Sequence, residues 1–356
     1  MRLMHMADAH FGRRFSSSRF GPEAAAARRR ALEEAFRLLV DYANENAVDA
    51  ILCAGDLIES AEIRPADLRT LRDILSGLKA AKMYAVSGNH DPLDALSPYG
   101  RLNCDKLRLL PAGYSRTMLN EDTALHAFSF SEAVVRHNPL EDAPLDLGAK
   151  RNILLLHCDA INPESVYLPA RTDFLRRFDY CALGHVHQPL ELAPGVRYSG
   201  SILGMDRNET GSRGFVVVET EDGPAAEFVP LPLPTYESLS VELSNEDVGA
   251  AARILSALEP LPKGSLVSVT LTGTHSAGAR PDTEALADRL RAAGRQVYLI
   301  DETRPAYDLE TLAAEHRDDL AGQVINAFGP EEAMTGTERL ALEYALTALM
   351  EGGRRA

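Results

Sequence analysis

The sequence predicts an α/β protein: a largely parallel sheet covered by helices, followed by a smaller α+β unit and a helical tail. Three observations lead there. Short apolar runs alternate with segments of helical period in the N-terminal half. Several of those runs stop at Asp, Asn or His, usually beside a glycine. After a proline-rich stretch, Pro230 to Pro234, strand and helix signals resume on a smaller scale.

Residues 2–7 form the first apolar stretch, ending at Asp8. Pro22 and Glu23 suit a helix start, and Leu32, Ala35, Phe36, Leu39, Tyr42 and Ala43 follow helical spacing, so a helix is expected over 22–46. Residues 49–54 read as a buried strand that stops at Gly55-Asp56. A second helix begins at Pro65, with Leu68, Leu71, Leu75 and Leu78 on one face. Residues 83–86 form the next strand, ending at Ser87-Gly88-Asn89-His90-Asp91. Residues 105–150 show little pattern. Further strands end at His157 and at Gly184-His185-Val186-His187, and another runs from Phe215.

Beyond the prolines, taken as a linker, Leu239, Val241 and Leu243 alternate as a half-buried strand. Ser244 or Asn245 is a candidate cap for a helix through Leu258. Strands at 266–271 and 297–300 flank a helix opened by Pro281, which completes a βαβαβ unit. From Asp308 the chain reads as helical, with a Thr335/Glu338 capping box and an apolar stripe of Leu342, Leu346, Leu349 and Met350. That stripe suits either packing on its own chain or a partner. The expected division is 1–232, 235–303 and 308–356.

The 356 residues suit two or three domains, and 45% hydrophobic with 25% charged residues is ordinary for a globular protein. No apolar run is long enough to span a bilayer, and Asp8 arrives before a signal-peptide core can form, so a cytoplasmic protein is expected. Cys53, Cys104, Cys158 and Cys181 show no C-x-x-C spacing and read as reduced thiols. The net charge of −15 argues against the broad basic face of an independent DNA binder, unless metal ions and a partner supply positive charge.

The chemistry is carried by Asp8, His10, Asp56, Asn89, His90, Asp91, His157, His185 and His187. Each group follows an expected strand, so all can converge at the carboxyl ends of a parallel sheet. Asp8/His10 and His185/His187 are two apart and face one side of an extended segment. Carboxylate, amide and imidazole donors without thiolate suit manganese, iron or zinc in a catalytic rather than structural site. A set this dense can hold two ions, with Asp56 as the bridge. A water between them then becomes a hydroxide near neutral pH and attacks phosphorus in line. His90 faces the leaving oxygen, and Asp91 is expected to fix the His90 tautomer. Arg13 and Arg14, next to the first motif, are candidates to hold DNA phosphates. Arg28, Arg29 and Arg30 read as a solvated helix face. Phe11 and Phe15 are expected to be buried.

Together Asp8-Ala9-His10, Gly55-Asp56, Gly88-Asn89-His90-Asp91, His157 and Gly184-His185-Val186-His187 resemble the calcineurin-like metallophosphoesterase superfamily over residues 1–205. The resemblance implies a four-layered α/β/β/α sandwich. It implies one ion at Asp8, His10, Asp56 and His187, and another at Asp56, Asn89, His157 and His185. Within the superfamily, residues 5–12 and Tyr198-Ser-Gly-Ser-Ile resemble SbcD-type DNA repair nucleases, with Glu59 standing where many relatives carry aspartate. That resemblance implies a manganese-dependent 3'-5' exonuclease and single-strand or hairpin endonuclease of double-strand break repair. It also implies a DNA-orienting cap, a homodimer and a tail docked on an SbcC-like coiled-coil ATPase subunit. The alternatives are a phosphoesterase for small substrates such as cyclic nucleotides or phosphoproteins, and a scaffold protein that keeps its metal site but does little chemistry.

Overall fold

The computed structural model describes residues 1–16, 19–221, 225–244, 249–276 and 280–352, with no side-chain description at 351 and 352; elements and partners given below are those among these residues. The chain divides into two compact units, Met1–Tyr236 and Glu237–Ala356.

The first unit opens with a parallel run: β1 (Arg2–Met6), α1 (Pro22–Glu45), β2 (Ala50–Ala54), α2 (Pro65–Leu75), β3 (Lys82–Val86) and β4 (Leu107–Leu109). The chain then builds a second sheet from β5 (Gly113–Met118), β6 (Thr123–Ser129), β7 (Arg151–His157), the short α3 (Thr172–Leu175), β8 (Tyr180–Gly184), β9 (Leu190–Ala193) and β10 (Val196–Tyr198). It returns to the first sheet with β11 (Gly214–Glu219) and β12 (Ala225–Pro230). The strand orders are β12-β11-β1-β2-β3-β4 and β5-β6-β7-β8-β10-β9. Strands β1 to β4 are mutually parallel, as are β6, β7, β8 and β10.

Three apolar layers hold this unit together. Leu32, Phe36 and Leu39 of α1 and Leu68, Leu71 and Leu75 of α2 pack on Met4, Ile51, Cys53 and Met83. The opposite faces of the same strands, Leu3, Leu52 and Ala54, meet Leu125, Leu155 and Ala182 of the second sheet. The outer face of that sheet, with Leu154, Leu156 and Leu183, is covered by Phe174, Leu175 and the chain around Leu168. This is the α/β/β/α sandwich. Both faces of each central strand are buried, which is why their sequences are continuous apolar runs rather than alternating ones. Each large side chain in these layers contributes about 1.5–3 kcal/mol by leaving water.

The structure corrects several local expectations. Residues 107–129, weak in pattern, form β4, β5 and β6. Strand β5 alternates between half-buried and exposed at a sheet edge, so it lacks the apolar density of the central strands. The proline-rich stretch is not a free linker: Leu231 N donates to Arg213 O at 2.8 Å, and Arg28 donates to Pro234 O. Arg28 is not on a solvated face either. It is 1% exposed, because α1 turns it under the loop at Gly204. Phe11 and Phe15 are buried, as are Cys53, Cys158 and Cys181, and all four cysteines are free.

In the second unit, β13 (Tyr236–Leu243) lies beside β14 (Leu266–Ser276), which pairs in parallel with β15 (Gln296–Asp301) and β16 (Arg304–Ala306). Helices α4 (Ala250–Leu258) and α5 (Thr283–Ala292) bury Ile254, Leu258 and Leu290 against Val267, Val269 and Val297. Gly249, not Ser244, precedes α4, and Asn245 lies outside the described residues. Strand β16 had no sequence signal. Helices α6 (Leu309–Glu315), α7 (Leu320–Phe328) and α8 (Gly336–Gly352) form a separate core, in which Leu342 and Leu346 are fully buried on their own chain. Thr335 and Glu338 make the expected capping box: Thr335 N donates to Glu338 Oε2 at 2.8 Å, and Glu338 N donates to Thr335 Oγ1 at 3.3 Å. No helix among the described residues is long and apolar enough to cross a membrane.

His5 sits fully buried where the two sheets meet. Its Nε2 lies 3.1 Å from Leu183 O and its Nδ1 3.0 Å from the Tyr180 hydroxyl. A carbonyl can only accept, so Nε2 carries the hydrogen and Nδ1 accepts from Tyr180. Burial pushes its pKa down to about 3. The unfolded chain therefore takes up a proton below its ordinary value of about 6.5 while the folded chain does not, and stability falls as pH drops from there towards 3. In urea unfolding at pH 7 and pH 5, His5→Gln should lose about 2 kcal/mol less on acidification than the wild type. Equal losses would show that His5 is not the group responsible.

Candidate metal centre

The carboxyl ends of β1, β2, β3, β7 and β8 lie along one edge of the sandwich, and the loops leaving them carry Asp8/His10, Asp56, Asn89/His90, His157 and His185/His187. The loops turn sharply. Asp8, His10, Asp56 and His185 all adopt positive φ, at 50°, 44°, 51° and 100°. Such backbone is costly for residues other than glycine and persists only where its surroundings hold it. Two glycines permit the close approach. A Cβ on Gly55, at φ 88°, would lie 2.4 Å from His157 Nδ1, and one on Gly88 would lie 2.4 Å from Asp56 Oδ1.

The side chains then converge. Asp8, His10 and His187 each offer an atom within 4.8 Å of the others, and so do Asp8, Asp56 and His157. His10 Nε2 and His187 Nε2 stand 3.3 Å apart. His157 Nε2 is 2.9 Å from Asn89 Oδ1 and 3.5 Å from Asp56 Oδ2. His185 is placed by its own backbone, since its N–H donates to both Asp8 carboxylate oxygens at 3.0 Å. Its ring lies 5.2 Å from that of His157.

The far nitrogens of these rings decide what the near ones can do. His187 Nδ1 lies 2.7 Å from Glu209 Oε1, His10 Nδ1 lies 3.2 Å from Glu59 Oε2, and His157 Nδ1 lies 2.9 Å from Ala54 O. Glu209 Oε1 and Ala54 O are acceptors, so Nδ1 of His187 and of His157 carries the hydrogen, whereas His10 Nδ1 stands at ion-pair distance from Glu59 without hydrogen-bond geometry. The His157 Nε2 is left as a bare lone pair aimed at the Asn89 and Asp56 oxygens, and the His10 and His187 Nε2 atoms face each other across the centre. Acceptors facing acceptors without a hydrogen between them fit a divalent cation, and the outer carboxylate and carbonyl fix the tautomers as they do around metal-bound histidines.

The electrostatics agree. Burial alone pushes the Asp56 carboxyl up, but the imidazoles of His157, His10 and His90 bring it below its ordinary value. Burial lowers His187, yet the hydrogen bond to Glu209 outweighs it and raises the ring to about 9. His185 is pushed down to about 4 by burial and by His157.

One expected role is overturned. Asp91 does not orient His90. Its carboxylate is fully buried and accepts from Leu57 N at 2.8 Å, Gly88 N at 2.6 Å and the Tyr99 hydroxyl at 2.5 Å, with Asp56 N and Ile58 N further off at 3.2 and 3.3 Å. It knots the loop after β2 to the loop after β3. Glu59 takes the other role, since His90 Nδ1 is 3.2 Å from Glu59 Oε1. That hydrogen bond raises His90, and contacts with His10 and His90 hold Glu59 well below the usual carboxylate range despite its burial. Of the two arginines singled out, Arg13 lies 3.9 Å from Glu59 beside the centre, whereas Arg14 is ion-paired with Asp67 at the start of α2.

Residues 1–223 match the calcineurin-like phosphoesterase superfamily domain. The chain belongs to that superfamily. It is thus a metallophosphoesterase by family, and the His and Asp clusters above are its candidate sites for divalent ions. The chain is 28% identical to a DNA double-strand break repair protein Mre11 of Methanopyrus kandleri, over 88% of this chain and 76% of the relative. It is 25% identical to the SbcD component of the nuclease SbcCD of Staphylococcus epidermidis, over 70% of this chain and 74% of the relative. A metallophosphoesterase YhaO of Bacillus subtilis is 26% identical, over 62% of this chain and 58% of that protein.

Sequence reasoning missed Glu209 in this phosphoesterase. Besides bonding His187, it accepts from Met205 N at 2.8 Å. A lone Glu in a loop carries no local signal; only the return of residues 199–213 beside His187 gives it a role. Glu209→Ala should weaken metal binding at the His187 side by about 10–100-fold in isothermal titration, with the fold intact by circular dichroism. Unchanged affinity would show that the Glu209 contact does not tune the ligand.

Proposed function

We propose that the chain is a two-metal phosphodiesterase acting on DNA, the nuclease subunit of an ATPase–nuclease complex that works in the cytoplasm on broken DNA ends. The observation that carries this reading is the extent of the similarity. The match to the Mre11 protein spans 88% of the chain, further than the phosphoesterase domain at 1–223 alone reaches. Generic phosphoesterase chemistry asks nothing of the second unit.

In this reading Asp8, His10, Asp56 and His187 hold one ion, and Asp56, Asn89, His157 and His185 hold the other. Manganese suits this mixture of oxygen and imidazole donors. When bound, the ions supply a nucleophile near neutral pH and offset charge on the phosphoryl oxygens. The chain's own residues do the rest. His90 is part exposed, and the Glu59 hydrogen bond orients its ring and raises its pKa, which suits donation to the leaving oxygen. Arg13 stands beside it to hold the neighbouring phosphate. The acidic balance of −15 leaves a partner to supply further positive charge along the DNA. The surface of the helical tail left outside its own core is the part offered to a coiled-coil ATPase, and a homodimer would present two such nuclease sites.

End-labelled linear duplex DNA should be degraded by the purified chain with manganese and left intact by Asp56→Ala. No degradation by the wild type, with hydrolysis of a small diester retained, would overturn the DNA reading in favour of a small-substrate phosphoesterase. His90→Asn should lower kcat by about 10²–10⁴-fold while metal affinity stays near wild type. A kcat within a few-fold of wild type would remove His90 from the chemistry.

A further inference from the structure

We propose that a cavity beside the metal centre is a nucleobase pocket, which seats the base of the nucleotide whose phosphate lies at the metals. The inference rests on the phosphodiesterase reading above and gives it a substrate-selecting element. The cavity measures about 250 Å³ and lies wholly in the first unit. Phe15, Phe20, Met205 and Tyr236 form its apolar lining, with Arg19, Asp206 and Asn208 among its polar lining.

Its placement ties it to the metals. One wall is Phe15, Arg19 and Phe20, which follow closely after His10, whose carbonyl accepts from Arg13 N at 3.0 Å. The other wall is the Met205–Asn208 loop, which hangs on Glu209, the carboxylate bonded to His187. Both walls are therefore continuous with residues of the same metal cluster.

Its chemistry suits a base. The half-buried Phe20 ring packs 5.9 Å from the buried Tyr236 ring at 38°, and a base can stack on the part of Phe20 that reaches the surface. Behind them the buried Arg28 guanidinium sits 4.5 Å from the centre of the Tyr236 ring and 5.9 Å from that of Phe15. It is anchored by Gly204 O and Pro234 O, so a fixed positive charge lies under the aromatic wall. The exposed Arg19 adds charge suited to an adjoining phosphate, and the Asn208 amide offers both a donor and an acceptor to a base edge. The volume lies just under the roughly 300–1,000 Å³ of pockets for larger organic ligands, which matches one base with its sugar.

Titration calorimetry of the manganese-loaded full chain with dAMP and with deoxyribose 5-phosphate isolates what the base adds. dAMP should bind about tenfold more tightly than the baseless sugar phosphate. Phe20→Ala should bring the two affinities together with the sugar phosphate unaffected, and Phe20→Trp should keep them apart. Equal affinities in the wild type, or a dAMP advantage undiminished in Phe20→Ala, would overturn the pocket. The readout is independent of DNA cleavage. A chain that prefers dAMP but leaves duplex DNA intact would refute the DNA reading while sustaining the pocket, and a chain that degrades DNA without preferring dAMP would do the reverse.

Discussion

The convergence of imidazole nitrogens and carboxylate and amide oxygens on one centre is the constraint on which the rest of the site depends. His10 and His187 bring ring nitrogens to 3.3 Å, and His157 brings another to the oxygens of Asn89 and Asp56. This arrangement is held from outside by Glu209 and the Ala54 carbonyl, which fix a hydrogen on the far side of the His187 and His157 rings, and by Glu59, which stands at ion-pair distance from His10. The outer acceptors thus matter as much as the inner donors. A site built this way is incomplete without cations, and folding prepares the cost that cation binding relieves.

That preparation needs a stiff support. The loops that carry the centre hold strained backbone at Asp8, His10, Asp56 and His185, and the buried Asp91 ties two of them together through their amide hydrogens. Behind the loops lie strands buried on both faces, β2 between the α1–α2 layer and the second sheet, and β7 between the first sheet and the outer covering. Close-packed layers of this kind resist small shifts, which is what lets strain persist at their edge.

Charge is organised locally rather than over the whole surface. The chain is acidic, yet Arg13, Arg19 and Arg28 all come from the segment between His10 and the middle of α1. Arg14 and Arg28 serve structure, one paired with Asp67 and the other buried under Tyr236. Arg13 and Arg19 remain nearer the surface. A run of arginines in sequence thus resolves into distinct jobs once α1 and the loop before it are folded.

Much of the fold and the gathering of the candidate metal-binding residues at one edge were legible in the sequence, because both rest on local signals. Apolar runs bounded by Gly-Asp, Gly-Asn-His-Asp and Gly-His-x-His mark where buried strands end, and in a parallel sheet those ends share an edge. Helical period and proline placed α1 to within a residue and fixed the start of α2, although Leu78, expected on its face, lies beyond the end of that helix at Leu75. What only the tertiary structure decided were the contacts between residues far apart in the chain. Asp91, adjacent to His90, turns into the loop amides, while Glu59, 31 residues earlier, reaches the ring. Glu209 reaches His187 from 22 residues away. Edge strand β5 and the short β16 pair only because longer strands present them with unmet hydrogen bonds. The physical reason is common to all of these: a side chain's bonding partner is set by which loops the packed sheets bring together, and no local pattern of residues encodes that meeting.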